Sequence, residues 1–357
     1  MSPRRPDAAS EARLAALRAE AAADGEVVGA GVRAAGGPLP AVGEAAAGPS
    51  YHGRAVLKEP TWTWEVPLYF FVGGAAGAAA VVGATARRLG GDGELARDAR
   101  WLAAAGGALS APLLISDLGR PERFLAMLRV FKRRSPMSVG AWTLAAFGSA
   151  AAAAAFADLL DRRSGGNLPV RIVGDAAEVL AAATGLVMST YTGVLVGATA
   201  IPAWNRNAAV LPVHFAASGL GSAVGLLELL GHRQRSLRWL GLAAAAAETA
   251  TGLAHELSAD PAQRPLKQGA SGALVRAAAL TAGPLALLLR LAGRRRAAAV
   301  AAVAGSLLTR YAWLEAGKAS AQDPEAALRP HPDRVALRGA PIRLLGDGSA
   351  DEPAIVD

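Results

Sequence analysis

The chain has 357 residues, 52% of them hydrophobic, and a formal charge of +8 from 37 Lys and Arg against 29 Asp and Glu. It contains no cysteine, which excludes disulfides, iron–sulfur ligation and thioether attachment of haem within this chain. The basic residues lie mainly between apolar runs and in the tails, where topology and lipid head groups account for them and no nucleic-acid surface is expected.

Residues 1–60 are rich in Ala, Gly, Pro and charge, and bury too little apolar area to offset the entropy of ordering, so a largely disordered tail is expected. Glu11–Ala23 reads at most as a polar, Ala-rich helix. No apolar stretch follows Arg4–Arg5, so a twin-arginine export signal is not expected.

Apolar runs then recur at Val66–Ala86, Ala99–Ser116, Val139–Leu160, Gly174–Ala200, Ala208–Leu230, Leu237–Leu257, Ala273–Leu291 and Ala297–Leu314. At about 1.5 Å per residue, roughly twenty residues cross a hydrocarbon core of about 30 Å. Lipid offers backbone amides no partner, so such runs read as helices. Ala145–Phe156 and Leu242–Ala247 are apolar all round, without the polar stripe of a soluble helix. The expected fold is an all-α integral membrane bundle of eight transmembrane helices over residues 61–316, followed by a polar tail at 317–357. Gly73-x-x-x-Gly77 and Gly221-x-x-x-Gly225 allow close helix approach.

Loop charge sets the expected orientation. The first, third, fifth and seventh loops carry Arg87, Arg88, Arg97 and Arg100, then Arg162, Arg163 and Arg171, then Arg233, Arg235 and Arg238, then Arg294, Arg295 and Arg296. This places the odd loops in the cytoplasm and both termini outside, in a multi-pass plasma-membrane protein. The second loop, with Arg120, Arg123, Arg129, Lys132, Arg133 and Arg134, dissents. It reads as a turn followed by an amphipathic helix with Phe124, Leu128 and Phe131 on one face.

Helix parity gathers polar residues at two ends. Glu65 opens the first helix, Asp117 closes the second, Tyr191 lies late in the fourth, His214 opens the fifth and His255 closes the sixth, all toward one face. Asp158, Glu178 and Glu228 lie toward the other, and Glu248 is near the middle of the sixth helix. Ionisable groups at membrane depth are costly and mark function, whereas those near a boundary also read as caps or interfacial side chains.

Several segments fall in register with one family. Trp62-Thr-Trp-Glu-Val-Pro-Leu-Tyr-Phe-Phe-Val-Gly-Gly74, Asp117-Leu-Gly-Arg-Pro121, Ser135-Pro-Met-Ser-Val-Gly-Ala-Trp142, Tyr191-Thr-Gly-Val-Leu195 and Pro202-Ala-Trp-Asn205 followed by Leu211-Pro212 resemble the NrfD-like, polysulfide-reductase membrane subunits over roughly residues 60–315. The resemblance implies a quinone-reactive membrane subunit of a respiratory oxidoreductase complex. Such a subunit exchanges electrons between menaquinone or ubiquinone and a ferredoxin-like iron–sulfur subunit, which serves a molybdopterin catalytic subunit. No haem or metal is expected in this chain. Carried over by position, Trp64, Glu65, Asp117 and Tyr191 are expected near the quinone, with His214 and His255 beside them. Trp64 and Glu65 stand where some relatives carry Asn and His.

Quinol oxidation needs a hydrogen-bond partner for each quinone oxygen and a proton acceptor, which carboxylate, Tyr and His supply. Arg120, Arg123 and Phe124 are the expected docking surface for the iron–sulfur partner. Two readings compete. One is a transporter or proton-conducting subunit, with Glu178, Glu228 and Glu248 as its path. The other is a membrane anchor holding haem b between His214 and His255.

Overall fold

The computed structural model describes residues 57–90, 92–118, 122–324 and 326, with the side chain of Arg123 excepted. The expected disordered tails lie almost wholly outside these residues. Among the described residues all regular structure is helical.

Eight long helices account for most of it: α1 Glu65–Arg88, α2 Gly93–Asp117, α3 Pro136–Ser164, α4 Leu168–Gly197, α5 Leu211–Leu229, α6 Arg235–Leu257, α7 Gly269–Leu291 and α8 Arg295–Gln322. Five of them, α1, α3, α4, α7 and α8, are long and apolar enough to cross a membrane. The expectation of eight spans therefore holds for five by length and composition. The remaining three carry polar groups in their interior faces, Arg100 and Ser110 in α2, His214 and Glu228 in α5, Glu248 and His255 in α6, and these lower the hydropathy of the helix.

Short helical turns add to the expected eight elements. They occupy Arg123–Met127, Pro202–Asn205 and a 3-10 segment at Pro261–Leu266. The amphipathic helix expected in the second loop is only five residues long, so Phe124, Leu128 and Phe131 do not share one continuous helical face. Ser138 Oγ accepts from Lys132 N at 3.0 Å and donates to Val130 O at 3.3 Å, which holds the following residues out of a helix. The last helix runs eight residues beyond the expected Leu314, to Gln322, and Leu57 and Trp62 pack on the core ahead of α1.

Contacts close two rings of four. In the first, α1 packs on α2, α2 on α3, α3 on α4 and α4 on α1; in the second, α5 packs on α6, α6 on α7, α7 on α8 and α8 on α5. Contacts of α1 with α5 and α8, and of α4 with α5, join them. Small residues make these approaches. A Cβ at Gly77 would stand 2.4 Å from the carbonyl oxygen of Gly185, so α1 and α4 meet backbone to backbone only because both are Gly. In lipid such close packing replaces hydrophobic sorting as the reason for helices to associate, and large apolar side chains such as Phe156, Ile172, Leu186 and Leu288 face outward.

In α7, Pro284 lacks an N–H and its ring opposes the preceding turn. The helix widens into a π turn over Thr281–Leu285 and continues. The α1–α2 turn ends at Asp92, whose carboxylate caps α2 by accepting from Glu94 N at 2.9 Å. Gln234 Nε2 donates to the same carboxylate at 2.6 Å from the second ring. The Glu94 N–H first, and then the Gln234 amide, hold the Asp92 carboxyl below its usual range.

Candidate functional site

At the end of the bundle where α1 begins and α2 finishes, the structure brings Glu65 and Asp117 together through a residue that sequence reasoning passed over. Thr63 Oγ1 lies within hydrogen-bond distance of Glu65 Oε2 and at 3.1 Å from Asp117 Oδ1, and Thr63 N donates to Asp117 Oδ1 at 3.4 Å. One hydroxyl carries one proton, so it serves one carboxylate at a time and leaves an acceptor open. Both carboxylates are half-buried, and Trp64 beside them is 60% exposed, so the cluster can be reached from the membrane boundary. The Trp64 carbonyl accepts from Tyr311 Oη at 3.0 Å, which fixes the start of α1 against α8. The signal available in the sequence was a Thr two residues before Glu65.

Tyr191 is buried, and its hydroxyl donates to the Pro136 carbonyl at 2.7 Å. This ties α4 to the first turn of α3. Gly140 makes room, since a Cβ there would stand 2.0 Å from the phenol oxygen. The hydroxyl can still accept a hydrogen bond, but its proton is engaged.

His214 and His255 form a second group, inside the second ring. Their ring centroids are 6.0 Å apart at 80°, and Trp313 packs 6.1 Å from His214 and 5.1 Å from His255. His214 Nδ1 meets Thr251 Oγ1 at 2.9 Å and Glu248 Oε2 at 3.5 Å. The adjoining cavity measures about 30 Å3, room for a water and far too little for a porphyrin, so these residues do not fit the haem-anchor reading. Among the described residues no group of three or more His, Asp and Glu is arranged to hold a metal ion.

The three carboxylates expected to share a proton path are dispersed. Glu178 belongs to the first ring, where Arg100 Nη2 donates to it at 2.9 Å and Arg87 and Arg88 stand at 3.6 and 3.8 Å. Glu228 accepts from Arg290 Nη1 at 2.8 Å. Glu248 is 1% exposed, and neither of its oxygens has a hydrogen-bond partner among the described residues. Arg310 faces it across the ring closely enough for Coulombic attraction. This guanidinium donates to Phe215 O at 2.9 Å and lies 3.9 Å from the Phe215 ring centroid, while its Nε and Nη1 find no protein partner. Arg310 and Arg290 were not recognised in the sequence, because an Arg in an apolar run is hard to tell from one at its end.

Of the docking residues, Phe124 is half-buried in the short helix after α2, Arg120 lies outside the described residues, and only the backbone of Arg123 is described.

The segments singled out in the sequence touch one another. Trp62 stacks on Trp204 with centroids 5.3 Å apart, and Trp204 Nε1 donates to Trp313 O at 2.7 Å. Thr63 reaches Asp117, Tyr191 reaches Pro136, and Gly193 lies against the Leu211–Pro212 peptide, where a Cβ would come within 2.5 Å of Leu211 O. These pieces build one end of a membrane bundle, so the fold and this end define a multi-pass membrane protein. Residues 56–238 match the family model for polysulphide reductase, NrfD, and the chain belongs to that family. The match covers α1 to the start of α6, a shorter stretch than the resemblance over residues 60–315. No curated protein matches the sequence.

Proposed function

We propose that this chain is the quinone-reactive membrane subunit of an oxidoreductase complex, with its eight long helices all crossing the plasma membrane and both termini on the extracytoplasmic side. It exchanges electrons between menaquinone or ubiquinone and a ferredoxin-like iron–sulfur subunit docked over the Arg120–Phe124 segment, which serves a molybdopterin catalytic subunit. The observation that carries this reading is the Thr63-linked pair of Glu65 and Asp117, two carboxylates from different helices sharing one hydroxyl donor at an accessible end of the bundle.

Oxidation of a quinol releases two protons with two electrons. The acceptor left open by Thr63 receives one quinol O–H, that carboxylate takes its proton as it leaves, and the second proton passes to water at the exposed end of the cluster. The electrons go to the partner, since this chain has no cysteine to hold a cluster. Tyr191 keeps α3 and α4 in place around the head group and can accept one further hydrogen bond.

The test is quinol-dependent reduction of the partner's clusters in membranes with protein levels matched. Asp117→Asn keeps the shape and removes the titrating oxygen, and a fall of roughly a hundredfold is expected. A wild-type rate would remove the site from this end.

A second reading, proton movement coupled to the same turnover, is favoured by Glu248, whose carboxyl group is buried without a hydrogen-bond partner among the described residues. A gap of about 10 Å3 beside it is lined by Ser218 and Gly241, and Gly241 lies against the Arg290 guanidinium, where a Cβ would come within 2.3 Å of Cζ. Glu178 and Glu228 are each held by an arginine, Arg100 and Arg290, which leaves Glu248 as the carboxyl group that carries this reading. Glu248→Gln should abolish proton uptake while quinol oxidation continues in uncoupled vesicles.

A further inference from the structure

The second ring has a cationic cavity at the end opposite the carboxylate pair. It measures about 860 Å3 and lies between the α5–α6 and α7–α8 turns, lined by Arg233, Arg294, Arg295 and Arg296. Its one carboxylate, Glu228, is held by Arg290 at 2.8 Å, and its histidine, His232, meets Asp98 at 2.9 Å. Among the described residues none of the four arginines forms an ion pair, and the contact between them is Arg295 Nη1 donating to the Arg233 carbonyl at 2.9 Å. The N-terminus of α8 opens beside them with no side-chain cap and no acidic residue in its first turn, so its free N–H groups add to the positive field.

Topological sorting of arginines does not require this arrangement. At the same end of the first ring, a cavity of about 310 Å3 is also lined by four arginines. There each has a carboxylate: Arg87 with Asp175, Arg97 with Asp98, Arg100 with Asp158 and Arg171 with Asp161. Four guanidinium groups that have no ion-pair partner among the described residues repel each other around one cavity and call for an anion. Leu230 and Leu291 immediately precede the two turns, and they are exposed together with Leu288 and Trp239. The anion therefore has an apolar surface next to it.

We infer that this cavity binds the head group of an anionic membrane phospholipid, with the phosphate among Arg233, Arg294, Arg295 and Arg296 and the acyl chains along Leu230, Leu288 and Leu291. A phosphate diester matches the guanidinium fork, and acyl chains match the exposed leucines. Free phosphate uses only half of the site.

The experiment uses the full chain purified in neutral detergent, with phosphatidylglycerol, cardiolipin, phosphatidylcholine or inorganic phosphate added, and reads bound lipid by native mass spectrometry and stability by thermal melting. Phosphatidylglycerol and cardiolipin should remain bound and raise the melting temperature, and phosphatidylcholine and inorganic phosphate should do neither. The variant R233Q/R294Q/R295Q/R296Q should lose at least tenfold in affinity for the anionic lipids while keeping wild-type helicity. The variant R87Q/R171Q, at the ion-paired cavity, should bind them as wild type does. Equal binding by the quadruple variant, equal binding of phosphatidylcholine, or equal stabilisation by inorganic phosphate would each overturn the assignment. If the quadruple variant fails to fold, the Arg→Lys set at the same positions, which keeps the charge and loses the fork, should bind between fivefold and tenfold more weakly; unchanged binding there overturns it equally.

Discussion

Two buried charge clusters, one in each ring, are held in opposite ways, while the Glu228–Arg290 pair of the second ring is closed like the first cluster. In the first, Arg100 is 7% exposed and donates to Asp158 at 2.8 Å and Glu178 at 2.9 Å, with Arg87, Arg88 and Arg162 around the same carboxylates. In the second, Arg310 is 1% exposed and has one backbone carbonyl and one aromatic face for partners, while Glu248 has His214 Nδ1 at 3.5 Å and no hydrogen bond among the described residues. A closed network holds its charges in one arrangement and serves as a structural tie. An open set can change its protonation or take a water without breaking a bond the fold needs. The difference assigns cohesion to the first network and exchange to the second.

The largest expected effect breaks the closed network. Arg100→Met leaves Asp158 and Glu178 buried without their central cation, and loss of one partner from a buried ion pair costs about 3–5 kcal/mol. The variant should melt well below wild type in detergent. Adding Glu178→Gln to it should recover part of the loss, because the uncompensated charge is removed with its partner. If Arg100→Met melts with wild type, the network does not hold the ring together.

The opposite outcome is expected for the open set. Glu248→Gln keeps the shape of a carboxyl group that no hydrogen bond among the described residues ties to the fold, so stability should stay within about 1 kcal/mol of wild type. Melting curves in detergent read this independently of turnover. A loss as large as that of Arg100→Met would make Glu248 a structural partner of Arg310 and erase the distinction between the rings.

The legibility of the sequence divides along the same line. The long helices were readable because lipid leaves their backbone no alternative, and the segments around Trp62, Asp117, Tyr191 and Trp204 were readable as family pieces. Their mutual contacts were not, because Trp62 on Trp204 and Thr63 on Asp117 depend on how α1 packs against distant parts of the chain. Arg100 read as a loop charge and proves to be the centre of a buried network, since the boundary of an apolar run does not reveal which way a long side chain turns. Glu178 and Glu228 read as members of one path because parity gives depth and not azimuth around the bundle. The structure puts them in different rings, each against its own arginine.

The smallest effect is expected where the rings meet. Asp92 caps α2 in the first ring and accepts from Gln234 Nε2 of the second, on the fully exposed turn. Its folded carboxyl titrates below the unfolded one, so its ionised form contributes stability that is present above the unfolded value of about 3.9 and is lost as pH falls through the folded value. In Asp92→Asn the oxygen at the Oδ1 position keeps the cap, and the Gln234 amide turns over so that its Oε1 accepts from the new NH2 at the Oδ2 position, so both contacts persist and the charge is removed. The variant should therefore melt slightly below wild type at neutral pH, with the gap closing below about pH 4, where the wild-type carboxyl is also neutral. Paired melting curves over pH 3–7 measure that gap. A gap of constant size would mean that the amide fails to reproduce the cap geometry, and that the seam depends on the shape of this turn with no contribution from its charge.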